Sequence, residues 1–334
     1  MLRGGPLSVK GHGPPPGARL YCPMRRLSAD AFVRAHTFLA QQARPLELAV
    51  FERTFLDGPT WRVIDELQAF QNPDGGFGHG LEPDALTPVS GALATSVALR
   101  RLAEVEAPGD HPVIVAAADY LRATLVPHER VWRIVPVETE EAPHAPWWDA
   151  DGLEERFNGF RINPKADILA QLYTLRADDD GWLDSLAEEV VRDLEASAAA
   201  GETFGMHDVT AAVALLDAPD VPVAVRLRLH EVLVDGVDAS VEREPPRWSA
   251  YTLRPLGVAP RPGSAFAGRL AESIEANLDY LIGEQGDEGG WWPTWDWGGR
   301  DEEVWARQRV VWAGVLTLDA LLRLRAYDRI DAAE

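Results

Sequence analysis

The sequence predicts an all-α protein, and three observations carry that expectation. Apolar residues recur at three- and four-residue spacing in one segment after another from Ser28 onward. Alternating strand patterns are scarce. The segments number roughly eleven, a count that suits paired helices. The chain is 334 residues long, 46% hydrophobic and 25% charged, enough to bury a large core, which excludes a disordered or fibrous protein.

The first segment starts at the Ser28/Asp30 signal and carries Phe32, Ala35, Phe38 and Leu39 on one face. Further helices are expected at 45–56, 59–71, 90–106, 111–126, 164–177, 182–199, 206–217, 221–239, 265–284 and 303–326. The best strand-like pattern, 131–137, sits inside a long connection and reads as a short hairpin arm. Residues 1–27 read as a disordered tail, Gly/Pro-rich through Pro23 and interrupted by Pro14, Pro15 and Pro16. Met24 directly precedes the patterned part and offers an alternative start. Residues 28–334 read as a single domain.

Four connections are long, at about 72–89, 127–163, 240–264 and 285–302. Three of them concentrate aromatic residues beside carboxylates: Trp132, Trp147, Trp148, Phe157, Phe160, Trp291, Trp292, Trp295 and Trp297. An indole left in water wastes apolar area worth a few kcal/mol on burial, so these loops are expected to fold onto one end of the helical body and line a cavity.

Charge and cysteine usage exclude several functions. Lys and Arg total 32 against 53 Asp and Glu, a formal net charge of -21, which disfavours nucleic acid as a partner. The single cysteine, Cys22, excludes an internal disulfide and a zinc site built from several thiolates. Any metal would need His, Asp or Glu, and no residue set is assigned as metal ligands. No apolar run is long enough for a transmembrane segment and no signal-peptide pattern is present, so a cytoplasmic location is expected. Nucleotide-binding and Ser-hydrolase motifs are missing; the cofactor is unknown, with magnesium left open. Oligomeric state is not fixed by these features.

An internal repeat is the most informative pattern. Leu67, Gln71, Asp74, Gly75, Gly76 and Phe77 recur in identical register as Leu281, Gln285, Glu288, Gly289, Gly290 and Trp291. Each copy ends a helix and opens a loop. Paired glycines allow a tight turn with positive φ, a Gln amide can bond backbone groups at helix ends, and the aromatic packs on the next helix. Gln71, Asp74, Gln285 and Glu288 are therefore expected to build a frame and not to react.

This Gln, acid, Gly-Gly, aromatic signature resembles the QW-type repeat of the terpenoid cyclase and protein prenyltransferase superfamily, which includes squalene-hopene cyclases. The resemblance implies an α/α toroid, two concentric rings of paired helices around a cavity, over most of residues 28–330, with the aromatic-rich loops at one end. Other (α/α) barrels, among them glycosidases and polysaccharide lyases, share that outline. The chemical motifs of the family are not matched. Asp149-Ala150-Asp151-Gly152 lacks the last acid of an Asp-x-Asp-Asp motif, Asp178, Asp179, Asp180 and Asp184 do not give magnesium-motif spacing, and the zinc-binding cysteine of the prenyltransferases has no counterpart.

Candidate reactive groups follow from local clusters. Gly78-His79-Gly80-Leu81-Glu82-Pro83-Asp84 places His79, Glu82 and Asp84 in a restrained loop, as an acid/base pair or part of a metal site. His144, Trp147 and Trp148 sit with Asp149 and Asp151, and Trp291, Trp292, Trp295 and Trp297 surround Asp296. Indole faces suit a carbocation or a stacked sugar. Glu82, Asp84, Asp296 and His79 are the catalytic candidates; His144, the six tryptophans and Arg161 are the substrate-binding ones. His207 and Asp208 open a helix and rank lower, as do His36 and His230. The expected function is a terpenoid cyclase-like enzyme, an isomerase or lyase, acting on a small-molecule apolar, isoprenoid-type substrate by general acid chemistry. A carbohydrate-active enzyme and a non-catalytic binding toroid are the alternatives.

Overall fold

The computed structural model describes residues 24–177 and 180–331. The expected tail as far as residue 23, Cys22 included, lies outside them. Among the described residues there are thirteen α-helices and no strand, so the all-α class holds. The helices are α1 (Ala29–Gln42), α2 (Pro45–Phe55), α3 (Thr60–Gln68), α4 (Ala92–Glu104), α5 (Pro112–Thr124), the one-turn α6 (Leu153–Arg156) and α7 (Lys165–Leu175). They continue as α8 (Trp182–Ala199), α9 (Met206–Asp217), α10 (Val223–Ser240), the short α11 (Pro255–Val258), α12 (Ala271–Gly283) and α13 (Glu302–Ala326).

Local chemistry sets these bounds. Ser28 Oγ accepts the Ala31 N–H at 3.2 Å and caps α1, a contact worth about 1 kcal/mol. Pro45, Pro112 and Pro255 each open a helix at a position that needs no backbone donor. Residue 27 is already part of the body. Leu27 is buried, its N–H donates to Arg329 O at 2.7 Å, and its carbonyl accepts from Asp331 N at 2.9 Å. These backbone bonds tie the two ends of the described chain together, and the buried Arg329 side chain also donates to Asp279 at 2.9 Å.

Neighbouring helices pack in a regular succession: α1 on α2, α2 on α3, α3 on α4, α4 on α5 and α7, α7 on α8 and α9, α9 on α10 and α11, and α11 on α12. The last helix, α13, packs on α1 and α2.

The hairpin arm expected at 131–137 is not formed. Val131, Trp132, Ile134 and Val135 are all buried, so the run lacks the in-out alternation of a half-buried strand. The Trp132 indole N–H donates to Leu121 O at 2.8 Å, and Ile134 O accepts from Leu93 N at 3.1 Å. The segment is an irregular strap across α4 and α5, followed by 3-10 turns at Val137–Glu141 and Pro146–Trp148.

The two repeat copies fold alike. Gln71 Nε2 donates to Gly75 O at 2.9 Å and to Val113 O on α5 at 3.1 Å; Gln285 Nε2 donates to Gly289 O and to Ala31 O on α1, both at 2.9 Å. The aromatic's own N–H then meets a threonine on the next long helix, Phe77 with Thr95 Oγ1 at 3.1 Å and Trp291 with Thr317 Oγ1 at 2.9 Å. Gly75 and Gly289 adopt φ of 90° and 101°, and a Cβ there would lie 2.2 Å from Ala116 O and 2.4 Å from Arg34 O. Both glycines thus seat a turn directly on the backbone of a neighbouring helix.

Candidate active site

The loop that leaves the first repeat copy is held from three sides. Gly78 N donates to Phe70 O at 3.0 Å, and Gly91 N to Phe77 O at 2.9 Å. Arg44, at the start of α2, donates to Gly80 O at 3.3 Å and Leu81 O at 3.0 Å while its guanidinium also grips the fully buried Glu47 at 2.6 and 3.0 Å. On the far side Asp84 O accepts from Ala145 N at 2.9 Å, and Leu86 N donates to Pro143 O at 3.0 Å. Between these clamps Glu82 and Asp84 line a cavity of about 590 Å³.

The walls are aromatic: Trp147, Trp148, Phe157, Tyr251, Trp295 and Trp312 line the cavity. Its floor is ionic. Arg100 pairs with Asp167 at 2.9 Å, and Arg101 with Glu104 at 2.8 Å and Asp319 at 2.9 Å. These pairs leave the carboxyls of Glu82 and Asp84 without a guanidinium in contact.

Burial dominates the two carboxyls. Glu82, 8% exposed, is pushed up to about 8, first by loss of solvation and then by the neighbouring Asp84; the Asp84 backbone N–H and the more distant Arg44 and Arg100 oppose the shift. Asp84, 3% exposed, is also raised by burial, against the pull of indole N–H groups. Trp297 Nε1 and Trp312 Nε1 each donate to Asp84 Oδ1 at 2.8 Å, with Trp295 acting in the same direction. Two N–H donors favour the charge on Asp84, so of the two carboxyls Glu82 is the better holder of a proton. Partial loss of solvation and both carboxyls push the Tyr251 phenol up to about 12, although the residue is 54% exposed, and partial desolvation lowers the exposed His207, whose Nε2 lies 3.4 Å from Tyr251 Oη. Asp208, next along α9, is pushed up to about 6 by burial.

Of the residues singled out in the sequence, Glu82, Asp84, Trp147, Trp148 and Trp295 meet at this cavity, and Trp297 is buried behind Asp84 as its donor. Phe157 and His207 line it as well, and the remaining candidates lie elsewhere. His79 is exposed, with Nε2 2.9 Å from Asn72 Oδ1. Asp296 is exposed in a shallow depression shared with Trp292, and its Oδ1 accepts the Gly298 N–H at 2.7 Å. Trp291 belongs to the repeat frame, its indole N–H donating to Leu281 O at 2.8 Å, and with Trp292 it lines a second cavity of about 380 Å³ beyond Tyr251 and Trp295. His144 is buried but faces a separate depression with Asp149 and Arg300. Arg161 bonds Asn158 O at 3.2 Å and Oδ1 at 2.7 Å and is not among the lining residues.

Sequence reasoning passed over Arg44, Arg100, Tyr251, Trp312 and Asp319. The last two lie on α13, seven residues apart and so on one face. That aromatic-plus-acid spacing on a helix, and Arg100-Arg101 inside the apolar α4, were the available signals.

No protein-family model matches the chain, and no curated protein or solved structure matches it. Among the described residues no helix is long and apolar enough to cross a membrane.

Proposed function

We propose that the chain is an α/α-toroid enzyme of the terpenoid cyclase-like kind, acting on an apolar, isoprenoid-type small molecule by general acid chemistry at Glu82. A ring is supported by the succession of helix contacts that ends with α13 against α1 and α2. Equivalent use of α5 and α1 by the two repeat copies supports it as well, since α1 then stands to α13 as α5 stands to α4. The observation that carries the reading is a buried carboxyl pushed up to about 8 inside an aromatic cavity.

In this reading Glu82 enters the cycle protonated at neutral pH and donates to a substrate double bond. The cation so formed faces the π surfaces of Trp147, Trp148, Trp295 and Trp312. Asp84, held by two indole N–H groups, supplies the negative partner that steadies it. The final proton returns to Glu82 as the product forms.

The ionic floor favours one second reading, a carbohydrate-active enzyme in which the indoles stack on sugar rings and the two carboxyls serve as acid and base or nucleophile. One experiment separates the two. The full chain is incubated with isoprenoids, isoprenyl diphosphates and oligosaccharides, with and without magnesium, and products are read by mass spectrometry. Conversion of an isoprenoid by the wild type and its loss in Glu82→Gln is the expected result. Conversion of oligosaccharides alone replaces this reading with the glycan one, and binding without conversion makes the chain a binding toroid.

A further inference from the structure

Outside the cavity, the connection between α5 and α7 brings Glu140, His144 and Asp149 together, one ligand atom from each lying within 4.8 Å of the others. We propose that these three residues bind a divalent transition-metal ion of the zinc type, at a site separate from Glu82 and Asp84.

The argument starts from the imidazole. His144 Nδ1 lies 2.7 Å from Ala142 O, which can only accept, so Nδ1 carries the hydrogen and the lone pair of the neutral ring is on Nε2. That nitrogen belongs to a side chain 10% exposed and is aimed at oxygen acceptors alone, Asp149 Oδ1 at 3.1 Å and Glu140 Oε1 at 3.8 Å. Three electron-pair donors converge, and only a second proton on the ring could join two of them. A proton on Nε2 would serve the 3.1 Å contact but leave Glu140 beyond hydrogen-bond reach.

A cation between them serves all three. Zinc–ligand bonds of about 2.0–2.2 Å in a tetrahedron place donors roughly 3.4 Å apart, which the two observed separations straddle. A backbone carbonyl on the far ring nitrogen is the usual way a ligating histidine is oriented. One imidazole and two carboxylates suit zinc better than magnesium, which prefers oxygen alone.

The remaining contacts are compatible. Glu140 Oε1 also accepts the Ala150 N–H at 2.6 Å, and Arg300 holds Asp149 at both oxygens, Nη2 to Oδ2 at 3.0 Å. Each carboxylate oxygen has two lone pairs, so these donors leave one free on each. The charge balance is compatible with a cation. Glu140, Glu141, Asp149 and Asp301 line the depression against one guanidinium, and the depression opens to solvent, giving an ion a way in and an open fourth position.

Ion binding would brace the loop that carries Asp84, because Ala85 and His144 form a backbone bridge and Ala145 N donates to Asp84 O. The test needs no substrate and stands apart from the reading of the cavity. Untagged full-length protein, stripped with chelator, is dialysed against zinc and its bound metal counted. About one zinc per chain is expected for the wild type, with affinity falling about tenfold or more in His144→Ala and in the partly exposed Glu140→Gln, each verified by circular dichroism to be folded. No bound zinc in the wild type, or affinity equal to the wild type's in both folded variants, would overturn the site.

Discussion

The two copies of the repeat make the same turn, and only one of them leads into the buried carboxyl pair Glu82 and Asp84. In both, a Gln side chain bonds a glycine carbonyl and the first turn of a neighbouring helix, and a main-chain N–H meets a threonine on the next long helix. After the first copy, Arg44 clamps the loop and turns Glu82 and Asp84 into the cavity. After the second, the chain contributes Trp295 to the cavity wall and Trp297 as a donor to Asp84, while its own acid, Asp296, faces outward. Their acids differ too: Asp74 accepts from Gly76 N and Ser90 Oγ, whereas Glu288 takes the Trp292 indole N–H. A shared frame therefore fixes position, and the loops that leave it contribute different side chains to the cavity.

Variants that break the frame should affect both copies equally and most strongly. Gly75→Val and Gly289→Val each put a side chain against helix backbone at a positive φ, so a loss of about 3 kcal/mol or more, or failure to fold, is expected in urea melts. A large effect in one copy alone would end the equivalence.

Variants in the emerging loops should separate the copies. Glu82→Gln is expected to cut turnover about a hundred- to ten-thousand-fold with the fold intact, while Asp296→Asn leaves it unchanged. Equal losses in the two would contradict the assignment of the acid to the first loop. Gln71→Ala and Gln285→Ala should each cost roughly 1–3 kcal/mol of stability through two lost hydrogen bonds, and by similar amounts.

A further effect is on stability against pH. Glu82 is raised from its ordinary 4.5 to about 8, so between those values the native protein holds a proton that the unfolded chain has released. Its contribution is fully present below about pH 4.5 and is lost as pH rises through about 8. Asp208, pushed up to about 6, acts in the same direction over a lower range. The melting temperature should therefore fall more steeply in the wild type than in Glu82→Gln over the neutral range; parallel curves would remove the buried proton.

Much of this was legible in the sequence because helical periodicity is local. The segments expected at 182–199 and 206–217 coincide with α8 and α9. The strap at 131–137 is not legible as one, because its β-branched and aromatic residues suggest a strand and its burial is set by tertiary packing. Glu82, Asp84, Trp147, Trp148 and Trp295 were found because polar and aromatic residues in Gly/Pro-rich loops stand out. Trp312 and Asp319 were not, because on a long helix they read as packing and solvation until α13 is seen to face the cavity. Whether Asp84 or Asp296 turned inward was equally illegible, since that depends on Arg44 and Trp312, far away in the chain.

The most direct test of the account is the protonation state of Glu82 at neutral pH, measured by infrared difference spectroscopy between the wild type and Glu82→Gln. A protonated carboxyl band present in the wild type at pH 7, absent from the variant and lost as pH rises through about 8, is the predicted result. A difference spectrum showing only an ionised carboxylate at pH 7 would contradict it.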